Sequence, residues 1–381
     1  MNTFLFSNFL KPMLIVSLSM ILVQFSIGIS QAKPTLDTPT TQSLSELEAF
    51  IGEFSRKKNI PGVAVAVASK GKLLYFNAYG MANVELSVPV SDKTVFEIGS
   101  ISKQFVSAAT MLLVEQDKLK VSDPIHLYLP FLPSEWLGVT VHQLLTHTSG
   151  IPDYEEIASY DIYRLRVTPE DIIKIAQSRP MDFEPGTGWY YSNTGYYLLS
   201  MIVEKIEGLP LAKVLEKRIF APLKMTQTRM ADPEAIIAHR ASGYWVNKTN
   251  DLINRNPTET SSTLGAGGLL SSVTDLAKWD KALSDDSVLS SQSKEQMWSE
   301  VLVPRGKNPH YGYGWELEDF EGLPATFHYG QVAGFNTEFV RLTEQGIAII
   351  VFTNRYRVNV EPITKKVLYT FIQGLKSVDK D

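Results

Sequence analysis

The sequence predicts an α/β fold of the α+β kind, an antiparallel sheet flanked by helices with an all-helical lobe inserted into it. Three observations carry this. β-rich runs stand near the start, at 63–69 and 73–79, strand patterns return only after residue 312, and the stretch between is dominated by helical patterns. The two ends of the chain therefore build one sheet, from about 44–120 and 265–381, and the middle, about 121–264, forms the helical lobe of a single domain, 44–381.

Each element has a local reason. Residues 33–43 are rich in Pro and Thr and read as a tether. Ser45 and Glu48 have the spacing of a capping box and open a helix that runs to about Lys58. Lys70-Gly71 joins the first two β-rich runs as a hairpin. From Ile101 to Val114 the chain is mostly Val, Ala, Met, Leu and Phe without Gly or Pro, the signature of a buried helix. Repeated Pro from Pro124 to Pro133 makes the next connection irregular. Thr168-Pro169 is an N-cap followed by Pro at the first helical position. A further helix spans about Gly195 to Ile206 and stops at Gly208. Strands are expected at Gly312–Glu318, Ala325–Tyr329, Phe335–Leu342 and Ile347–Thr353, and a closing helix at about Val360–Gln373.

Composition narrows the function classes. The apolar fraction of 44% and charged fraction of 20% are those of a globular protein. With a net charge of −5 and no Lys/Arg cluster, nucleic-acid binding is set aside. Lys11 precedes an apolar run from Met13 to Ile29, and Ser30-Gln31-Ala32 supplies the small residues of a cleavage site. Residues 1–32 read first as a cleaved signal peptide and second as an uncleaved anchor, the only way this chain would hold a membrane. The expected location is periplasmic or secreted. The chain has no Cys, which excludes disulfides, thiolate metal sites and a lipid anchor on cysteine. No cofactor and no metal are expected, since His142 and His147 lie outside any metal-binding pattern and read as structural.

Ser100-Ile101-Ser102-Lys103 stands at the start of the buried helix, where free N–H groups and the helix dipole favour a developing oxyanion. A spacing of three puts the Lys103 amine on the same helical face as the Ser100 hydroxyl. A serine needs an adjacent base to become a nucleophile, and a buried lysine can have its pKa lowered enough to serve. The four-residue pattern also occurs at Ser30, Ser55, Ser69, Ser291 and Ser377, so context decides. Downstream come Tyr191-Ser192-Asn193, after the Pro185-Gly186 loop, and His328-Tyr329-Gly330-Gln331. A second Tyr-x-Asn, Tyr75-Phe76-Asn77, lies in a hairpin strand without such a loop.

Ser-x-x-Lys, then Tyr-x-Asn, then His-x-Gly in that order resembles the serine β-lactamase and DD-peptidase superfamily, its class C branch in particular. Ile60-Pro61-Gly62, Leu144-Leu145-Thr146-His147-Thr148-Ser149-Gly150, Gly265-Ala266-Gly267-Gly268-Leu269 and Tyr311-Gly312-Tyr313-Gly314-Trp315 extend the resemblance across most of the chain. It implies a β-lactamase/transpeptidase-like fold with the serine between the lobes. It also implies Ser100 as nucleophile, Lys103 and Tyr191 as its proton acceptors, and Asn193 as a contact of substrate and Lys103. His328 would polarise the pocket, Gly330 would let substrate lie along the strand, and the Ser100 and Gln331 N–H groups would form the oxyanion hole. Tyr190 replaces Tyr191 if the loop is shifted by one. One departure stands out: the middle residue of the third motif, a short hydroxyl residue in β-lactamases, is Tyr329 here. The reading is therefore an exported serine hydrolase acting through an acyl-enzyme on an ester, amide or D-amino-acyl peptide. Its partner is a small-molecule or peptide acyl substrate, with cell-wall peptide one candidate. The alternatives are a class C-type β-lactamase or D-Ala-D-Ala carboxypeptidase, and a non-catalytic envelope binding protein of the same fold.

Overall fold

Six strands form the central antiparallel sheet. Their spatial order is Ala325–Val332, Phe335–Leu342, Ile347–Thr353, Gly62–Ser69, Lys72–Asn83 and Val88–Pro89, so strands from both ends of the chain meet in the middle of one sheet. The computed structural model describes residues 34–375, apart from 257, 305 and 307. The expected signal segment, 1–32, lies outside the described residues. Residues of the central strands alternate between two cores, as a pleated ribbon requires. Val63, Val65 and Val67 pack with Ile349, Val351 and Phe327 beneath the helices Thr41–Lys57 and Glu361–Phe371. Ala64, Ala66, Ile350 and Phe352 face the opposite way, into a larger core with Phe105, Trp279 and Trp315. The small alanines on that face leave room for the helix Val273–Ser284, which packs on the Gly62–Ser69 strand.

The buried helix runs from Ser102 to Glu115, led by a tight 3-10 turn over Gly99–Ile101 that contains Ser100. It packs against the helix Asn193–Glu207, which ends at Gly208 in a left-handed conformation, φ 65°. The Lys70-Gly71 hairpin and the strands Phe335–Leu342 and Ile347–Thr353 stand as the sequence predicts. Thr168 caps the helix Pro169–Gln177 through a capping box with Asp171.

Four expectations need correction. The first helix starts at Thr41, because Thr40 accepts the Ser43 N–H and pre-empts the Ser45–Glu48 box. The tether is partly paired, with Thr35–Leu36 against Ile372–Gln373. The middle lobe is not all helical: it holds short strands at Arg229–Met230, Tyr244–Val246 and Leu252–Asn254. No strand spans 312–318; single bridges join Tyr311 to Glu316 and Glu316 to Phe327.

Candidate active site

The 3-10 turn of Ser100 is pressed against the strand Ala325–Val332. Gly99 has φ 53°, and a Cβ there would lie 2.7 Å from the Gln331 nitrogen. A Cβ on Gly330 would lie 2.0 Å from the Ile98 carbonyl and 2.2 Å from Thr337 Oγ1. Glycine at both positions lets two backbones meet, and the Ser100 turn thereby sits beside the Gln331 N–H.

Lys103 is fully buried one helical turn on. Its Nζ lies 3.1 Å from Ser100 Oγ, 2.8 Å from Asn193 Oδ1 and 2.7 Å from the Ala266 carbonyl oxygen. As an ammonium it can donate to all three. As a neutral amine it gives its two hydrogens to the two carbonyl oxygens, which can only accept. The remaining lone pair then faces Ser100. Burial pulls its pKa down to about 7, against the opposing fields of Glu155 and Asp153. This arrangement can take a proton from the serine.

Tyr191 comes from the irregular stretch before the helix Asn193–Glu207. Its ring lies 4.7 Å from Lys103 Nζ. Burial raises its pKa well above the usual phenol value, although the neighbouring Ser100 hydroxyl pulls the other way. It therefore stays a phenol and can relay a proton but not act as a standing phenolate base. Tyr190, the alternative, is exposed and bonded to Glu156.

His328 is buried and fully engaged. Nδ1 lies 2.6 Å from the Tyr329 carbonyl oxygen, which can only accept, so Nδ1 carries the hydrogen. Nε2 is then the acceptor, and the Tyr311 hydroxyl donates to it at 2.9 Å. Burial and the nearby Lys103 hold its pKa down to about 3, so the ring is neutral. His328 thus brings no positive charge to the cleft. Asn193 is likewise spent within the protein: Oδ1 accepts from Lys103, and Nδ2 donates to Asp153 Oδ2 at 3.1 Å and Glu155 Oε2 at 2.9 Å. Its expected amide contact to substrate has no free donor.

The cleft over Ser100 is lined by the three motifs and by carboxylates that sequence reasoning passed over: Asp153, Glu155, Glu156 and Glu316. Asp153 caps the short helix Tyr154–Ala158, so Asp153-Tyr154-Glu155-Glu156 reads in sequence as an ordinary acidic helix start. His147, read as structural, packs its ring 4.3 Å from that of Tyr191, and its Nδ1 accepts the Ser192 N–H. Its φ of 60° turns the chain sharply after the helix Val141–Leu145 and brings the imidazole under the tyrosine loop. Tyr329 packs edge-to-face with Phe327, ring centroids 5.4 Å apart, against the core of Val63, Val65 and Val67, and its hydroxyl bonds to Glu338, so it does not stand where a short Thr or Ser hydroxyl would.

The family model for beta-lactamase matches residues 47–369. The chain belongs to the beta-lactamase family. Among relatives, penicillin-binding protein 4* of Bacillus subtilis is 32% identical over 326 residues, covering 81% of this chain and 71% of that protein. The octameric penicillin-binding protein homologue of Pyrococcus abyssi superposes with a TM-score of 0.75 at 32% identity, over 85% of this chain and 76% of that one. A D-amino acid amidase of Ochrobactrum anthropi SV3, solved with L-phenylalanine amide, gives a TM-score of 0.75 at 26% identity, over 86% and 97%. Like its relatives in the beta-lactamase family, the chain is a serine hydrolase of mixed α/β fold.

A pH dependence follows for this beta-lactamase-family site. With the free amine as base, kcat/KM on a neutral ester is expected to rise between pH 6 and pH 8, through the value of about 7 for Lys103. Asp153, pushed up to about 7 by burial and by Glu155, ionises over the same range, so the observed step belongs to the pair. A rate that falls over this interval would rule out the amine as base.

Proposed function

We propose that this protein is an exported serine hydrolase that forms an acyl-enzyme on Ser100 with an ester, amide or D-amino-acyl peptide. The observation that carries the reading is the Lys103 amine, fixed by two carbonyl oxygens so that its lone pair faces Ser100 Oγ. The Ser100 proton passes to Lys103 as the oxygen–carbon bond forms. The carbonyl oxygen takes the negative charge beside the Ser100 and Gln331 N–H groups. The bond to the leaving group breaks, and Tyr191 hands the proton on to that group. Water then attacks the acyl carbon along the same route, and the acid leaves. The amidase relative supports an amide-cleaving reading.

The second reading, β-lactam or D-Ala-D-Ala chemistry, is favoured by the likeness to penicillin-binding protein 4*. Against it stand the neutral His328, the averted Tyr329 hydroxyl and a cleft lined by no Lys or Arg among the described residues, which leave a substrate carboxylate without a cationic partner. A lost hydrogen bond to a charged group costs about 1.5–3 kcal/mol. Neutral p-nitrophenyl esters are therefore expected to exceed penicillins and cephalosporins in kcat/KM by at least about tenfold. Steady-state rates, with intact-protein mass spectrometry after a fluorophosphonate, a penicillin and a short-chain ester, check this. Efficient cephalosporin hydrolysis with no ester turnover would favour the second reading.

A further inference from the structure

The two donors of the oxyanion hole come from different sheets. Ser100 follows the short strand Phe96–Glu97, which pairs with Leu269–Ser271, whereas Gln331 lies on the edge strand Ala325–Val332 of the central sheet. Their separation is therefore set by contacts between the sheets. One is the close approach at Gly99 and Gly330. Another is the Thr337 hydroxyl, which donates to the Ile98 carbonyl at 2.9 Å.

A third contact comes from the middle lobe. Arg255, just past the strand Leu252–Asn254, reaches both pieces at once. Its Nη1 donates to Glu97 Oε2 at 2.7 Å and to the Ala333 carbonyl at 2.9 Å, and its Nη2 donates to Glu97 Oε1 at 2.6 Å. Glu97 stands three residues before Ser100. Ala333 stands two residues after Gln331, in the turn between Val332 and Phe335. A planar guanidinium can grip a carboxylate with two prongs and still give a hydrogen to a carbonyl; an ammonium lacks that fork. The sequence makes room for it. A Cβ on Gly243 would lie 2.8 Å from Arg255 Cδ, and one on Gly334, at φ 84°, would lie 2.9 Å from it. The guanidinium sits 5.1 Å from the Phe335 ring, which meets Phe96 edge to face beside Glu97. Arg255 is not among the residues that line the cleft.

Resting on the acyl-enzyme reading above, we propose that Arg255 is a positioning residue for the oxyanion hole: it clamps Glu97 to Ala333 and so fixes the spacing of the Ser100 and Gln331 N–H groups. Hole donors act at about 2.7–3.1 Å from the developing oxyanion, so a small slip between the two pieces weakens the transition state more than the bound ester.

The test uses the full-length protein, p-nitrophenyl acetate and its thionoester, in which sulfur replaces the carbonyl oxygen. Sulfur is larger and accepts hydrogen bonds weakly. A well-formed hole should therefore favour the oxygen ester by a larger factor than hydroxide does in free solution. Arg255→Met should lower kcat/KM on the oxygen ester by about 10- to 100-fold and bring the oxygen-to-sulfur ratio toward that of hydroxide. Arg255→Lys keeps the charge opposite Glu97 but loses the fork, and its ratio should fall between; it carries the same comparison if Arg255→Met does not fold. Arg341→Met breaks a different buried pair, Arg341 Nε to Asp280 Oδ1 at 2.7 Å. It should lower the thermal midpoint and keep the wild-type ratio, which separates a loosened hole from lost stability. A wild-type ratio in a folded Arg255 variant, or an equal fall in Arg341→Met, would overturn the proposal. If the wild-type protein neither cleaves the ester nor takes a fluorophosphonate on Ser100, the acyl-enzyme reading itself fails.

Discussion

Ser100→Ala is expected to lower kcat by about four to six orders of magnitude, the loss typical of removing the nucleophile from a catalytic unit. The thermal midpoint should move by no more than about 2 °C, because the side chain is only partly buried and its hydroxyl bonds only within the site, to Lys103 and Tyr191. The pairing of these two outcomes matters: lost rate with retained stability marks chemistry and excludes unfolding. Rates on a p-nitrophenyl ester, calorimetry and peptide mapping of a fluorophosphonate adduct are the measurements. An adduct on any other serine would refute the assignment. The structure explains why three other matches to the pattern are poor rivals; Ser30 and Ser377 lie outside the described residues. Ser55 is fully buried at the end of the first helix, with no partner for its hydroxyl among the described residues. Ser69 donates to the Gly346 carbonyl at the hairpin end, and Ser291 is exposed and bonded to Asp286. None of the three is bonded to the lysine three residues on.

Much of the fold was legible because local chemistry and tertiary packing agree. The strand 347–353 is a short, almost wholly apolar run, 335–342 carries Phe, Val and Leu among polar residues, both are buried on both faces apart from the half-buried Asn336, and the Lys70-Gly71 turn has φ 51° and 78°, as a tight hairpin needs. Where local signals competed, the sequence misled. Thr40 and Ser45 both offer caps, and only the packing of the helix Thr41–Lys57 selects the earlier one. The 312–318 segment has a strand-like composition, but its glycines press against the Met297 and Lys103 carbonyls, so it bends around the Ser102–Glu115 helix and does not pair along its length. That Ser100, Lys103 and Tyr191 meet was legible for the same reason that the serine turn was: motif order and a buried helix point to one place. The electrostatics were not. Whether Asn193 has a free N–H depends on Asp153 and Glu155, about forty positions away, and whether His328 carries charge depends on its burial beside Lys103. Such facts live in side-chain partnerships, to which hydrophobic periodicity is blind.

The double variant of Lys103 and Tyr191 carries the next largest expected effect. Lys103→Ala should lower kcat by about three to four orders of magnitude, toward the upper end for loss of a general base. Tyr191→Phe should cost about two to three orders, because the phenol relays a proton that the lysine has already accepted. The combined variant should be little worse than Lys103→Ala alone, since a relay without a base has nothing to pass on. Losses that multiply would show that the two residues work independently. Stability separates the pair as well. Lys103→Ala leaves the buried Asn193 Oδ1 and Ala266 oxygen without their donor, at about 1–3 kcal/mol for each unsatisfied group, so its thermal midpoint should fall. Tyr191→Phe keeps the ring that stacks on His147, so its midpoint should stay close to wild type. A Lys103→Met control fills the channel without supplying a base. If Lys103→Met regains stability over Lys103→Ala but no rate, the amine acts as a base; if rate returns with stability, the amine serves only to hold the site together.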